Sequence, residues 1–265
     1  MEKNIAIIGG GKLGSAIAKG IVEGKIVEPS QVTITRRKAG LLDDLKNAHI
    51  NVSSDNVQAV ENADIVILAV QPKQLDAILL EIKDAIKSKH VIVSVITGVS
   101  IADLKNKIEE ECSIIRAMPN TAIAIKKSMT CLAAENVKDD VLDEVKKIFD
   151  TVGKTLVINE NLMQAATVLG ACGIAFFLRF IRAASQGGIE VGFHAEEAQL
   201  IAAQTALGAA SLLLETNIHP ENAIDAVTTP QGCTIAGLNE MEHNGLSSAL
   251  IKGIVTSYKK IEHIK

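Results

Sequence analysis

The chain has 265 residues, 48% of them hydrophobic and 22% charged, with a formal net charge of -4 at pH 7. This composition builds a sizeable core, which excludes an intrinsically disordered chain, and the acidic balance excludes a general electrostatic grip on nucleic acid. Aromatic residues amount to 2%, with no Trp and one Tyr, so stacking platforms for bases are excluded as well.

In chain order, Lys3–Ile8 is a short apolar run and predicts a strand. Lys12–Gly24 has Leu13, Ile17 and Ile21 at helical spacing and stops at glycine. Gln31–Thr35 is rich in β-branched residues and predicts a second strand, followed by a helix over Lys38–Ala48. Asp64–Val70 and His90–Ile96 are nearly continuous apolar runs, as strands buried on both faces are. Between them Gln74–Ser88 carries Leu75, Ile78, Leu79, Ile82 and Ile86 at helical spacing. Ser100–Asp103 reads as a capping box that opens a helix, and Cys112–Ala117 as a further strand. Ser128–Ala134, Lys138–Asp150 and Lys154–Ile158 read strand, helix, strand and extend the same sheet.

From Asn161 onward little reads as strand. Helices over Asn161–Ala171, Gly173–Val191 and Ala195–Thr216 dominate. They are apolar on more than one side through residues such as Ala202, Ala206, Leu207, Ala210 and Leu213. Such helices either meet a second copy of the chain or pack on the chain's own sheet domain, and the dimer interface is the more economical reading. The longest apolar runs, Ala165–Leu178 and Leu200–Leu214, fall short of the ~18 residues that span a bilayer. Cys112, Cys131, Cys172 and Cys233 have neither metal-ligand nor redox-motif spacing, and Met1-Glu2-Lys3-Asn4 does not open a signal peptide. The expectation is a reduced, cytoplasmic protein with no metal site and no membrane span.

Gly9, Gly11 and Gly14 fit G-x-G-x-x-G between a strand and an amphipathic helix. Gly9 permits the tight turn, Gly11 lets backbone approach a pyrophosphate, and Gly14 lets helix pack close to strand. With Lys12 and Leu13 at the helix start, this loop is a candidate dinucleotide site. An NAD site usually has a carboxylate at the end of the second strand, roughly 20 residues on. Here that end reads Thr35-Arg36-Arg37, and guanidinium suits a 2′-phosphate, so NADP(H) is expected over NAD(H). The βαβα rhythm together with this loop predicts an α/β fold: an N-terminal Rossmann-type, doubly wound, mostly parallel sheet over 1–160, then an all-α C-terminal dimerisation domain over 161–265.

Ligands of such a sheet bind beyond the carboxyl ends of its strands. Three exits qualify: Ala69-Val70-Gln71-Pro72-Lys73, Ile96-Thr97-Gly98 and Met118-Pro119-Asn120-Thr121. In the helical part, Thr228-Thr229-Pro230-Gln231-Gly232-Cys233-Thr234 is a polar turn between helices whose hydroxyls and N–H groups suit a small polar ligand. There is no Tyr-x-x-x-Lys pair, and His49, His90, His194, His219, His243 and His263 are scattered, which gives them surface or helix-cap roles. Cys233 has nothing nearby to activate it as a nucleophile. A reductase without an obvious proton donor suits a substrate that already carries its proton, such as a protonated imine.

These segments together resemble the pyrroline-5-carboxylate reductase family over essentially the whole chain. The carriers are Gly9–Gly14, Asp55-Asn56, Ala63-Asp64, Ala69–Pro72, Arg116-Ala117-Met118-Pro119-Asn120-Thr121 and Thr228–Leu238. The resemblance implies NADPH-dependent reduction of 1-pyrroline-5-carboxylate to L-proline, the last step of proline biosynthesis. It further implies a homodimer through the helical domain, with dimers assembling into a decamer. It places Met118, Pro119, Asn120 and Thr121 at the nicotinamide end, and Asn56 with the Arg36 region near the adenosine and its 2′-phosphate. Ala69, Val70 and Pro72 complete the cofactor set. Thr234 matches the threonine that hydrogen-bonds the ring nitrogen. Gly232 and Cys233 match backbone positions at the substrate carboxylate, with Thr229 and Gln231 in the same loop.

The chain departs from the family pattern at Gln71, where lysine is usual, at Gln231, where glycine is usual, and over Gly170–Phe176, which loses two hydroxyls, a proline and a phenol. These departures motivate two other readings: a related NADP-dependent imine or hydroxy-acid reductase with another substrate, and a catalytically silent NADP-binding dimer.

Overall fold

The computed structural model describes residues 1–261. Eight strands, β1 (Ile5–Ile8), β2 (Val32–Thr35), β3 (Asn51–Ser53), β4 (Ile65–Leu68), β5 (Val91–Ser94), β6 (Ser113–Met118), β7 (Ser128–Ala134) and β8 (Gly153–Val157), form one sheet in the order β3-β2-β1-β4-β5-β6-β7-β8. β1 to β6 are parallel; β7 pairs antiparallel with β6, and β8 runs parallel to β7. Helices α1 (Lys12–Glu23), α2 (Asp43–Asn47), α3 (Asn56–Glu61), α4 (Leu75–Ile82), α5 (Ile101–Ile108) and α6 (Asp139–Asp150) lie between the strands in sequence.

The period-two alternation of a strand explains why both faces are covered. Ile5 and Ile7 enter one core with Ile17 and Ile21 of α1 and Phe149 of α6, whereas Ala6 and Ile8 enter the other with Leu75, Leu79 and Ile82 of α4. Ile65 and Ile67 go to the first core, Val66 and Leu68 to the second. Each Ile, Leu, Val or Phe among them contributes about 1.5–3 kcal/mol on burial, and an apolar tetrapeptide buried on both faces is what the unbroken runs in the sequence record.

Several expected elements differ from the observed ones. The Lys38–Ala48 helix is a 3-10 turn, Ala39–Leu42, followed by the short α2. The Gln74–Ser88 helix is α4 followed by a 3-10 turn, Lys83–Ala85. β3 and α3 had no counterpart in the expectation. The stretch after β8 is not one helix: a 3-10 turn, Glu160–Leu162, leads to α7 (Met163–Ala166) and a π-helical segment, Thr167–Cys172.

Among the described residues the chain divides into two compact units, Met1–Cys172 with Lys260 and Ile261, and Gly173–Lys259. The expected domain boundary at Glu160 and Asn161 falls earlier than this division. Met163 is buried with Met118 and Ala133, which keeps α7 in the sheet unit. The second unit holds α8 (Gly173–Glu190), α9 (Ala195–Thr216), α10 (Pro220–Ala226), α11 (Cys233–His243) and most of α12 (Leu246–Ile261). Within it α8 packs on α9, with a groove of about 310 Å³ between them lined in part by Phe180, Phe193 and Ile201.

Residues 160–190 and 195–216 are both long and apolar enough, by length and composition alone, to cross a membrane. These helices extend beyond the apolar runs read from the sequence, the first past Arg179 to Glu190 and the second back from Leu200 to Ala195.

Candidate active site

β1 and β4 are neighbours, whereas β1 leads in sequence to β2 on its other side. The connections diverge at this point, and a crevice opens beyond the carboxyl ends of the two strands. It is a cleft of about 850 Å³ walled by the glycine turn, the end of β2, the exit of β4 and one face of α4.

The glycine turn is shaped for this place. Gly9 has φ 116°, and a Cβ there would collide with the carbonyl of Ala69. A Cβ on Gly14 would collide with the carbonyl of Gly9, so α1 sits tight against the turn. A Cβ on Gly11 would meet nothing within 4 Å, which leaves the backbone open to the cleft. Gly11 also caps α1 without any side-chain bond, so the N–H groups of the first turn face outward with the positive end of the helix dipole. The N–H groups of Gly9 and Gly10 donate to Thr35 O at 3.3 and 2.7 Å, which ties the turn to the end of β2.

Of the expected cofactor residues, Gly9, Gly11, Lys12, Leu13, Thr35, Arg36, Arg37, Asn56, Ala69 and Val70 wall the cleft. Gly14 serves it from behind. Arg36 Nη1 donates to Gly10 O at 3.0 Å, which holds the guanidinium beside the turn, and Lys38 brings a third cation to the same wall. Open backbone at a helix N-terminus with cations at the end of β2 is the donor set that an adenosine diphosphate bearing a 2′-phosphate requires, and the residues present fit that group.

Pro72, Met118, Pro119, Asn120 and Thr121 do not wall this cleft, contrary to the expected cofactor set. Pro72 instead opens a 3-10 turn, Pro72–Gln74. Met118 is buried in a small core, and Thr97 Oγ1 donates to its sulfur at 3.9 Å. Asn120 is 8% exposed and bonded inside the fold: Nδ2 donates to Gly170 O at 3.1 Å, and Oδ1 accepts from Ala122 N–H at 3.0 Å. Gly170 lies in the π-helical segment, whose widened turn gives that carbonyl a side-chain partner. Sequence reasoning missed Gln74, Ile78 and Glu81 of the wall, because nothing local marks one face of α4 as a ligand wall.

The loop Thr229–Gly232 is described within the second unit. Gly232 N–H donates to Thr229 O at 3.0 Å, closing a turn with Pro230 at its second position and Gln231 at φ 59° at its third. A side chain on Gly232 would strike the Thr229 hydroxyl. Because the Gly232 N–H is used in the turn, the donors at the start of α11 are those of Cys233 and Thr234. Thr229, Gln231, Cys233 and Thr234 are all exposed.

His90 corrects the surface-or-cap reading of the histidines. It is 1% exposed, Nδ1 accepts from Lys87 N–H at 2.8 Å, and Nε2 closes no well-formed hydrogen bond. Burial, with Lys89 nearby, holds its pKa below the ordinary histidine value. His219 does cap a helix: its Nδ1 accepts from Glu221 N–H at the start of α10. His263 lies outside the described residues. Burial pushes the Cys112 thiol up to about 11, with Glu110 adding to the shift, and burial also raises Cys131.

A doubly wound sheet with a phosphate-binding glycine turn, followed by a helical module, defines a nicotinamide-dependent oxidoreductase. Residues 4–98 match the model of the family described as NADP oxidoreductase, coenzyme F420-dependent, and residues 160–264 match pyrroline-5-carboxylate reductase dimerisation. Pyrroline-5-carboxylate reductase 1 of Dictyostelium discoideum is 51% identical over 98% of this chain, which spans 49% of that relative's length. Pyrroline-5-carboxylate reductase 2 of the same organism is 45% identical, covering 98% of this chain and 92% of the relative. The solved pyrroline-5-carboxylate reductase of Coxiella burnetii superposes with a TM-score of 0.94 at 28% identity, covering 99% of this chain and 98% of that one. The chain belongs to the pyrroline-5-carboxylate reductase family.

Proposed function

We propose that this chain reduces 1-pyrroline-5-carboxylate to L-proline, that it prefers NADPH to NADH, and that it works as a cytoplasmic homodimer joined through the helices after residue 160. One observation carries the reading: end-to-end likeness to a relative named pyrroline-5-carboxylate reductase, 45% identical over 98% of this chain and 92% of the relative. The functional division is taken at 160/161, where the dimerisation match begins.

When bound, the nicotinamide cofactor supplies the hydride that the imine carbon receives. The chain's own residues bind and orient. The turn Gly9–Gly14 receives the pyrophosphate, and Arg36, Arg37 and Lys38 receive the 2′-phosphate. Met118–Thr121 form the nicotinamide end, where the wiring of Asn120 into the fold supports a fixed backbone. In the helical unit, the Thr234 hydroxyl orients the ring nitrogen, and the N–H groups of Cys233 and Thr234 hold the carboxylate within the loop that carries Thr229, Gln231 and Gly232. A protonated imine needs no general acid, so positioning is the main demand on these groups.

The homodimer rests on the exposure of α9. Leu200, Leu207 and Leu214 recur every seven residues and are 70%, 57% and 66% exposed, a stripe that fits a helical seam. Assembly of dimers into a decamer belongs to the same proposal. The cytoplasmic assignment rests on four cysteines that are all free.

The test is cofactor oxidation with 1-pyrroline-5-carboxylate, run with NADPH, with NADH and with the six-membered cyclic imine acid. Turnover that prefers NADPH and the five-membered ring supports the proposal. Turnover of the six-membered ring alone favours the related imine reductase, for which Gln231 in the loop is the motivating residue. Binding without any turnover favours a silent dimer.

A further inference from the structure

The adenosine side of the cleft carries a carboxylate that the nucleotide reading does not use. Glu81 stands in the last turn of α4 and shares the cleft wall with Gln74 and Ile78, four and three residues apart along one helix face. Asn56 Nδ2 donates to both of its oxygens, at 3.1 and 3.0 Å. Asn56 Oδ1 in turn accepts from Thr35 Oγ1 at 2.6 Å. β2, α3 and α4 are thereby stitched together across the mouth of the site. Among the described residues no cation lies within ion-pair distance of Glu81. The cleft thus holds three cations at the end of β2, Lys12 at the start of α1, and on the α4 side one carboxylate without an ion-pair partner among the described residues.

We propose that Glu81 is a specificity residue: it restrains the preference of this site for a 2′-phosphorylated over a 2′-hydroxyl cofactor. The inference rests on the reading of the cleft as the NADP(H) site. A carboxylate here accepts a hydrogen bond from a ribose hydroxyl but repels a 2′-phosphate, and the Asn56 amide that would donate to that phosphate is already held by Glu81. At a separation of several ångströms in a wet cleft, one charge against a doubly charged phosphate changes affinity by about fivefold, less at high salt.

The experiment is a titration of the 265-residue chain, without substrate, with NADPH and with NADH, read as Kd. It compares the unmodified chain, Glu81→Gln, Glu81→Ala and the Arg36→Ala/Arg37→Ala double variant. Glu81→Gln keeps an acceptor for Asn56 and removes only the charge. The expected result is about fivefold tighter NADPH binding with NADH unchanged or weaker, an effect that shrinks as salt is raised. An unchanged NADPH-to-NADH ratio in Glu81→Gln overturns the proposal, even if Glu81→Ala weakens both, because Glu81 then only positions Asn56. The arginine variant reports on the underlying reading separately. If it loses NADPH affinity while Glu81→Gln does nothing, the site assignment stands and the role of Glu81 falls. If it loses nothing, the assignment itself falls.

Discussion

Thr234 stands exposed in the first turn of α11, beside the turn that Gly232 closes on Thr229. A hydrogen bond to a charged nitrogen is worth roughly 1.5–3 kcal/mol. Thr234→Ala should therefore lower kcat/KM by at least about tenfold, with Thr234→Ser retaining most of the activity; steady-state kinetics in which Thr234→Ala equals the unmodified enzyme would remove this hydroxyl from the mechanism. His90 gives a second residue-level expectation. Burial disfavours the charged ring in the folded chain, whereas the unfolded chain lets it charge below about 6.5. The unfolded state then binds more protons, so this part of the stability is present above that pH and is lost as pH falls below it. His90→Asn keeps an acceptor for Lys87 N–H and should flatten the fall of Tm between about pH 7 and about pH 5. An unaltered slope would mean that other groups set the acid limit. At this scale the glycines and Arg36 were legible in the sequence, because a motif fixes their neighbours. Glu81 and Gln74 were not, since only the fold brings α4 to the mouth of the cleft.

Among the elements, the exit of β6 is held by a buried ion pair. Arg116 Nη1 lies 3.0 Å from Glu160 Oε1, with side chains 9% and 15% exposed, and the same oxygen accepts from Ile101 N–H at 2.7 Å. Glu160 thus joins β6, the start of α5 and the chain entering α7. Removing one member of such a pair strands the other charge in the interior. Glu160→Ala should lower stability by about 3 kcal/mol, and the double variant Glu160→Ala/Arg116→Met should recover part of that loss. Urea unfolding followed by circular dichroism measures both, and a single variant as stable as the unmodified chain would exclude the pair as a structural tie. The elements read most easily were those with one clear period. β4 is an unbroken apolar run, and α5 opens with the Ser100–Asp103 box, in which Asp103 N–H donates to Ser100 Oγ at 3.0 Å. β3 is three residues long at the sheet edge, Asn51–Ser53, with no buried residue to announce it. The π-helical segment also has no sequence signature, because its widened turn answers to Asn120, which lies fifty residues away in the chain.

For the whole molecule, the outward apolar face of the helical unit dominates. Leu207 is 57% exposed in the stripe proposed as the dimer seam, and Leu207→Glu would set a charge in that seam in each copy. Sedimentation velocity should find the unmodified chain dimeric or larger and Leu207→Glu shifted toward monomer; a variant that sediments like the parent would place the dimer contact elsewhere. The sheet carries a different consequence, one of timing. β1 is made before its neighbours yet belongs between β2 and β4. Its partner on one side comes soon after, but on the other side Ile5 pairs with Ile65. While the ribosome adds the intervening residues, a strand that is interior to the finished sheet has an open edge and four apolar side chains. An unpaired edge of that kind is where one chain adheres to another. Between the synthesis of β2 and that of β4, the β4-side edge of β1 is therefore open to pairing with the wrong strand.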